Sequence, residues 1–388
     1  MKFAVVVCND VQHKVKLVSG VATRKSLKVL KILASIKVTL SGNTMTLSSG
    51  NGEQQARVAI NINTPLEIVK EFCVDAERIN TLFNNTSNGD TVNFELKEDF
   101  LLFKLGRSRS KLLLTSSDAD DYPDSFVFKK SVDRVSVSLA DIERTFYRSG
   151  YAVSDENEVR KALCNIHVET ISGKLYMVST NGHRLCVSSC PLLLGQDQEK
   201  NINDIKFTVS KKFFETLISA FKGKNNEVIF SLSDNLIKVD CGDITVSSLL
   251  LNEKYPEYRK VIPQGFYIAT NVNRHLLLEA VSKVRSITGI TEVDPIQLYI
   301  ETGGIRVFAN NTKTRSESED YISIKHLAVA QPSQISYSAN YLIEALKNSE
   351  VDDNGDVQLK VSTGGNGLVF YSQNDAHRNS FALVLPRR

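Results

Sequence analysis

The chain has 388 residues, 42% of them apolar and 23% charged, with 20 Gly and 8 Pro. That composition excludes the collagen-like, low-complexity and disordered classes, and at roughly 100–200 residues per domain it accommodates two to four domains with cores of their own. A net charge of +3 decides little, but its distribution is uneven: seven Lys or Arg against Asp10 alone in the first 31 residues, and a second basic knot at Arg107-Ser108-Arg109-Ser110-Lys111. Such patches suit phosphate contact or a solvated face.

From the N-terminus, Val11 to Val21 is amphipathic and predicts a helix. Ile36 and Val38, then Gly42, then Met45 and Leu47 read as strand, tight turn and returning strand, the glycine supplying a positive φ. Phe72 and Val74 alternate again, Asp75 suits an N-cap, and Ile79, Leu82 and Phe83 mark the apolar side of a second helix. Gly89 is expected as a left-handed stop near its end. Strands follow at Val92-Phe94-Leu96 and Phe100-Leu102.

The same series then returns. Leu139 to Val153 is amphipathic, and Ile166 to Val168, Gly173, Leu175 and Met177 repeat the strand–turn–strand unit. Phe207, Val209 and the cap candidate Ser210 precede Phe214, Leu217, Ile218 and Phe221, with Gly223 and the strands Val228-Phe230-Leu232 and Leu236-Lys238 after them. The third copy has His275 to Ile287, then Leu298 to Ile300, Gly303, Ile305 and Val307. Ile335, Tyr337, the cap candidate Ser338, Leu342, Leu346, Gly355, Val357-Leu359-Val361 and Leu368-Phe370 complete it. Two independent units share a period of about 130 residues, which fills the chain. The expected architecture is α+β: three tandem domains, 1–130, 131–257 and 258–388, each with two helices and about eight short antiparallel strands.

Catalytic signatures are missing. No GxxxxGK[ST] loop, GxGxxG fingerprint, HExxH, GxSxG or EF-hand pattern occurs in the sequence. The six histidines lack ligand spacing, and the six cysteines form no CxxC pair, so neither a disulfide framework nor a zinc ribbon is expected and a reducing cytoplasm is the default. Cys186 and Cys190 lie four apart with nothing to complete a tetrahedral metal site. Asp118, Asp120, Asp121 and Asp124 suit a hard cation or, more simply, a solvated loop. No apolar run approaches the ~20 residues that span a bilayer, and Asn9 and Asp10 cut short what would be a signal-peptide core. His183 and Cys186 as base and nucleophile would sit on opposite faces of an extended segment. A hydrolase or nucleotide enzyme on repeated domains therefore has little in its favour, and a turnover assay with added metal would reveal one.

At Thr180-Asn181-Gly182-His183-Arg184-Leu185 the sequence resembles the T-D-G-H-R-L signature of the bacterial DNA polymerase III beta-subunit family, the replicative sliding clamps. The opening Met1-Lys2-Phe3, the run Gly106-Arg107-Ser108-Arg109, the connector Tyr255-Pro256-Glu257-Tyr258-Arg259-Lys260-Val261-Ile262-Pro263 and the tail Leu383 to Arg388 resemble the same family, in its order. Asn181 stands where the signature has an acid, Lys260 where arginine is usual, Ser338 where asparagine is common and Arg387 where an apolar residue is usual, which together point to an altered peptide preference.

The resemblance implies a head-to-tail homodimer closing as a six-domain ring around duplex DNA, with no catalysis, cofactor, metal or membrane contact of its own. It implies sequence-independent DNA contact at Arg24, Asn157 and Arg160; Lys25, Arg107 and Arg109 are added on charge alone. It implies a peptide groove for the DNA polymerase III core, an ATP-driven clamp loader, other DNA polymerases and repair proteins. Its wall would be Leu163, Thr180, Gly182, His183, Arg184, Leu185, Pro256, Val261, Tyr341, Leu383, Val384, Leu385 and Pro386. The dimer seam would use the edge strand at Ser110, Lys111 and Leu112 against Leu276, Leu277 and Leu278, with Lys111 seeking an acid across it. The competing expectation is a clamp-like interaction scaffold that does not encircle DNA.

Overall fold

Strands and helices follow in the order the periodicity predicts. The computed structural model describes residues 1–22, 31–116, 119, 122, 123, 126, 133–193, 204–223, 227–233, 235–289, 295–363, 367–372 and 380–387. The first series is β1 (Lys2–Val6), α1 (Asn9–Val21), β2 (Ser35–Gly50), β3 (Gln54–Asp75), α2 (Ala76–Asn84), β4 (Thr91–Leu96), β5 (Phe100–Leu105) and β6 (Ser108–Ser116). The second is β7 (Asp133–Ser138), α3 (Leu139–Ser149), β8 (Asn165–Ile171), β9 (Lys174–Thr180), β10 (Arg184–Pro191), β11 (Lys206–Ser210), α4 (Lys211–Phe221), β12 (Glu227–Leu232), β13 (Leu236–Cys241) and β14 (Ile244–Leu249). The third is β15 (Phe266–Asn273), α5 (Arg274–Thr288), β16 (Pro295–Glu301), β17 (Gly304–Asn311), β18 (Ser316–Ser323), β19 (Ser333–Ser338), α6 (Ala339–Asn348), β20 (Asp356–Ser362), β21 (Leu368–Tyr371) and β22 (Phe381–Val384).

Three local expectations change. Gly173 (φ 73°) and Gly303 (φ 93°) make the tight turns between β8 and β9 and between β16 and β17, but Gly42 (φ 52°) does not end a strand. There β2 runs on through a bulge, pairing Leu40 with Lys70 and Thr44 with Asn61, so the extra residues on β3 absorb the bend. Gly89 and Gly355 do have positive φ, yet they lie in the turns into β4 and β20; Asn85 and Ser349 cap α2 and α6 in ordinary backbone. Asp75 caps α2 as expected, its carboxylate accepting from Arg78 N at 3.0 Å, an interaction worth about 1 kcal/mol. Ser338 flanks α6 without a capping side-chain hydrogen bond.

The chain divides into two compact units, residues 1–139 with 212–250 and residues 140–211 with 251–388. In the first, one sheet runs β1-β4-β5-β6-β3-β14-β13-β12-β7, with β2 paired to β3. Phe3 stacks on Phe94 at 4.9 Å, and Phe94 meets Phe103 edge-on at 5.4 Å, beneath α2 and its Phe83. In the second, one sheet runs β11-β8-β9-β10-β22-β21-β20-β15 and a smaller one β18-β17-β16-β19. Leu277, Val281 and Val284 of α5 and Leu342 and Leu346 of α6 fill its larger core with Leu298, Val307, Tyr337 and Leu359. A separate cluster, Val178, Leu185, Tyr255, Tyr258, Val369 and Leu383, lies where the connector crosses the large sheet.

The two sheets share a construction. In the first unit a strand of series one joins the last strand of series two, Gln54–Val58 of β3 running antiparallel to Ile244–Ser248 of β14. In the second unit Arg184–Val187 of β10 joins Phe381–Val384 of β22 in the same way. Aligned on the alternating strands, Gln55 corresponds to Leu185 and Ser247 to Leu383, and both pairs face each other: the two joins have one register. Two strands of the same kinds keep a free side. Among the described residues Ser108–Leu113 pair only with β5, and β18 pairs only with β17.

Candidate peptide groove and its surroundings

The turn between β9 and β10 is built by side-chain chemistry. Asn181 Oδ1 accepts from His183 N (3.0 Å) and Arg184 N (3.1 Å), an Asx turn that carries Gly182 at φ 86°. Thr180 Oγ1 accepts from Gly182 N at 3.1 Å and donates to Arg184 O at 2.6 Å. The Asn181 amide also donates to Tyr341 Oη at 3.1 Å, which an ionised acid at this position could not do. Arg184 instead finds its carboxylate in Glu344, donates from Nη2 to Tyr151 O at 2.7 Å, and stacks over Tyr341 at 4.5 Å. With a tenth of its side chain exposed, it is a fixed part of the wall.

Beside this turn lies a groove of about 130 Å³ lined by Arg160, Leu163, Thr180, Gly182, Arg184, Leu185, Pro256, Glu257, Tyr258, Val261, Leu383 and Leu385. Leu163, Leu185 and Leu383 are buried and form an apolar floor; Val261 and Leu385 are exposed at the rim. Four separate segments supply these residues: 160–163, 180–185, 256–261 and 383–385. Leu163 stands on the one-turn 3-10 helix Lys161–Cys164, Tyr258 and Val261 on the 3-10 turn Tyr258–Val261, and Leu385 is tied back by its N–H to His183 O at 2.9 Å. An apolar floor with polar groups at fixed points is what anchors an extended peptide.

Nine of the thirteen groove residues expected from the sequence line this cavity. His183 and Tyr341 stand beside it, their rings 6.5 Å apart, and Pro386 is half-buried just past Leu385. Val384 points the other way, into the larger core, because successive strand residues face opposite sides. Arg160, expected at DNA, lines the groove, its Nη2 within 3.7 Å of where a Gly182 Cβ would be. Glu257 and Tyr258 were not singled out; their place inside the connector motif was the available signal.

Elsewhere, Arg24 and Lys25 lie outside the described residues, as do Asp118, Asp120, Asp121 and Asp124. Asn157 is exposed, and Arg107 and Arg109 are exposed on the β5–β6 hairpin. Of the seam residues, Leu276 is 51% exposed and Lys111 holds its ammonium 4.1 Å from the Phe100 ring centre. Leu112 and Leu277 are buried, and Leu278 packs against the core, so their side chains belong to the interior. Burial pushes the Cys186 thiol up to about 12, far from a nucleophile's range. Among the described residues no cluster of His, Cys, Asp and Glu could hold a metal ion, and no helix is long and apolar enough to cross a membrane.

A tandem α+β fold with sheets continued from one series into the next, and an apolar-floored groove where two series meet, defines a clamp-type interaction protein. The family model for the DNA polymerase III beta subunit, central domain, matches residues 125–257, and that for its C-terminal domain matches 259–385. The chain belongs to the DNA polymerase III beta-subunit family. It is 24% identical over 375 residues to a beta sliding clamp of Pseudomonas putida, covering 96% of each chain. The crystal structure of DNA polymerase III subunit beta from Pseudomonas aeruginosa superposes with a TM-score of 0.87 at 23% identity over the whole of both chains. A sliding clamp from that organism bound to griselimycin gives 0.87 at 22% identity, again over both whole chains. The family's members are sliding clamps, not enzymes.

Proposed function

We propose that the chain closes with a second copy into a head-to-tail ring around duplex DNA and tethers replication and repair proteins through its groove. The observation that carries this is the shared register of the two internal joins. The same register applied to the free sides of β18 and β6 sets Glu317 opposite Lys111 of a second copy, and Glu319 opposite Arg109. All four are exposed, and opposite charges facing across an antiparallel pair stabilise it. Two such seams close a symmetric dimer. Arg109 then serves the seam, while Arg24, Lys25, Arg107 and Asn157 serve DNA. Contacts to phosphates alone carry no base preference and let the ring slide.

The groove takes short peptides of the DNA polymerase III core, other polymerases, repair proteins and an ATP-driven loader, and the ring works in the cytoplasm. Native mass by light scattering over a dilution series tests closure: a species of twice 43.2 kDa is expected. Lys111→Glu with Arg109→Glu should give monomer, and mixing with Glu317→Lys, Glu319→Lys chains should restore the dimer. Retention on circular DNA, lost on linearisation, reports encirclement. A monomer at every concentration leaves the scaffold reading.

A further inference from the structure

Glu169 lies on β8, outside the groove wall, with 1% of its side chain exposed. Its Oε1 accepts from the Tyr258 hydroxyl and from Arg259 Nη2. Lys206 Nζ and His167 Nε2 stand 3.8 and 4.0 Å from Oε2. Both donors to Oε1 sit on the 3-10 turn that gives Tyr258 and Val261 to the groove. Two residues earlier on β8, His167 stacks on Tyr255 at 4.8 Å, and the Tyr255 hydroxyl donates to Val178 O at 3.4 Å. One face of β8 thus pins the connector at two points, through Glu169 and His167, and neither of these two side chains lines the cavity.

We propose that Glu169 is a positioning residue for the groove: it holds the connector wall in its peptide-ready place before any peptide arrives. The inference rests on the groove being a peptide site. A buried carboxylate is tolerated only while donors neutralise it, so lifting the turn away would strand Glu169 without Tyr258 and Arg259. The connector is therefore kept in one arrangement, and a ligand finds its wall already built. Loosening it lowers the competent fraction, and the apparent affinity falls by the same factor.

The test uses the full-length chain with griselimycin as the probe, followed by surface plasmon resonance, and hydrogen exchange without ligand. Glu169→Gln keeps the size and removes the charge. It should speed exchange at residues 255–262 while leaving the β16–β19 sheet protected. Affinity should drop about ten-fold through slower association, with dissociation unchanged, because the bound complex is the same. Arg259→Gln, on the half-exposed partner, guards against misfolding of the first variant and should cost about three-fold. Unaltered connector exchange and unaltered affinity in both variants would overturn the role of Glu169. Loss of binding through faster dissociation would overturn it too, in favour of direct contact. A wild-type chain that fails to bind the probe while its connector is protected would overturn the groove reading itself.

Discussion

The joins β3–β14 and β10–β22 match in backbone register and differ in the charged contacts beneath it. Under the second, Arg148 of α3 pairs with Glu350, which also accepts from Ser372 Oγ at 2.7 Å, and the space left is about 20 Å³. Aligned on the matching contacts Ser49 Oγ to Val18 O and Ser179 Oγ to Ser149 O, Arg148 corresponds to Leu17; aligned on the residues before α4 and α6, Glu350 corresponds to Lys222. A leucine and a lysine thus stand where the second join has an ion pair, and a cleft of about 960 Å³ opens there, with Leu17, Lys16, Lys212 and Lys222 on its wall. The first join is held instead by Lys14 between Asp10 (2.7 Å) and Asp243, by Thr216 Oγ1 against Gln54 Oε1 at 3.1 Å, and by a contact of His13 Nε2 with Ala220 O at 2.9 Å. Strand register is a property of the repeated backbone; the lock on each join is free to differ.

Breaking the second lock should have the largest effect. Burial lowers the Arg148 guanidinium and Glu350 opposes that shift, so Glu350→Gln leaves a mostly buried charge uncompensated. A loss of about 2–4 kcal/mol in the denaturant unfolding of the second unit is expected. At the first join, Asp243→Asn leaves Lys14 with Asp10 and should cost about 1 kcal/mol. Burial lowers the Lys14 ammonium, but hydrogen bonds to Asp10 and Asp243 outweigh it and the net shift is upward. Its contribution is therefore fully present below the unfolded value of about 10.4 and is lost as pH rises through the folded one. An alkaline melting series on wild type and Lys14→Met would show it.

The sequence carried the repeat, because alternation and cap spacing are local. It carried most of the groove, because a turn, a connector and a tail each held their residues within a few positions. Glu169, Glu350 and Glu344 were invisible for the opposite reason. Each gains its role from a partner far along the chain, Arg259, Arg148 and Arg184, and a lone acid on an amphipathic element reads as solvated surface. Gly42 misled because a left-handed glycine serves a bulge as well as a turn.

Two smaller effects sharpen the contrast. Burial lowers the His167 imidazole, with Glu169 raising it and Lys206 and Arg259 lowering it; Tyr255 and Thr208 are its other neighbours. A depressed histidine gives stability above its unfolded value of about 6.5 that is lost as pH falls toward the folded one. Melting of the second unit should therefore drop on mild acidification, and His167→Gln should flatten that slope while the first unit is unchanged. Least of all, Lys222→Glu would put an acid on the cleft wall that it shares with Lys16. Both positions are exposed, so a gain of at most about 0.5 kcal/mol is expected, read as a small rise in the first unit's midpoint.

The groove's four segments have a consequence for synthesis. Its floor needs Leu163 and Leu185, its wall the connector, and its far side Leu383 and Leu385. About 200 residues separate Leu185 from Leu385, which at a ribosomal pace of roughly 5–20 residues per second is some 10–40 s. Throughout that interval β10 has no β22 beside it, and the groove lacks the side that Leu383 and Leu385 supply. On the proposed peptide reading, recruitment waits on translation through Leu385, and a truncated product does not draw off the proteins meant for intact molecules.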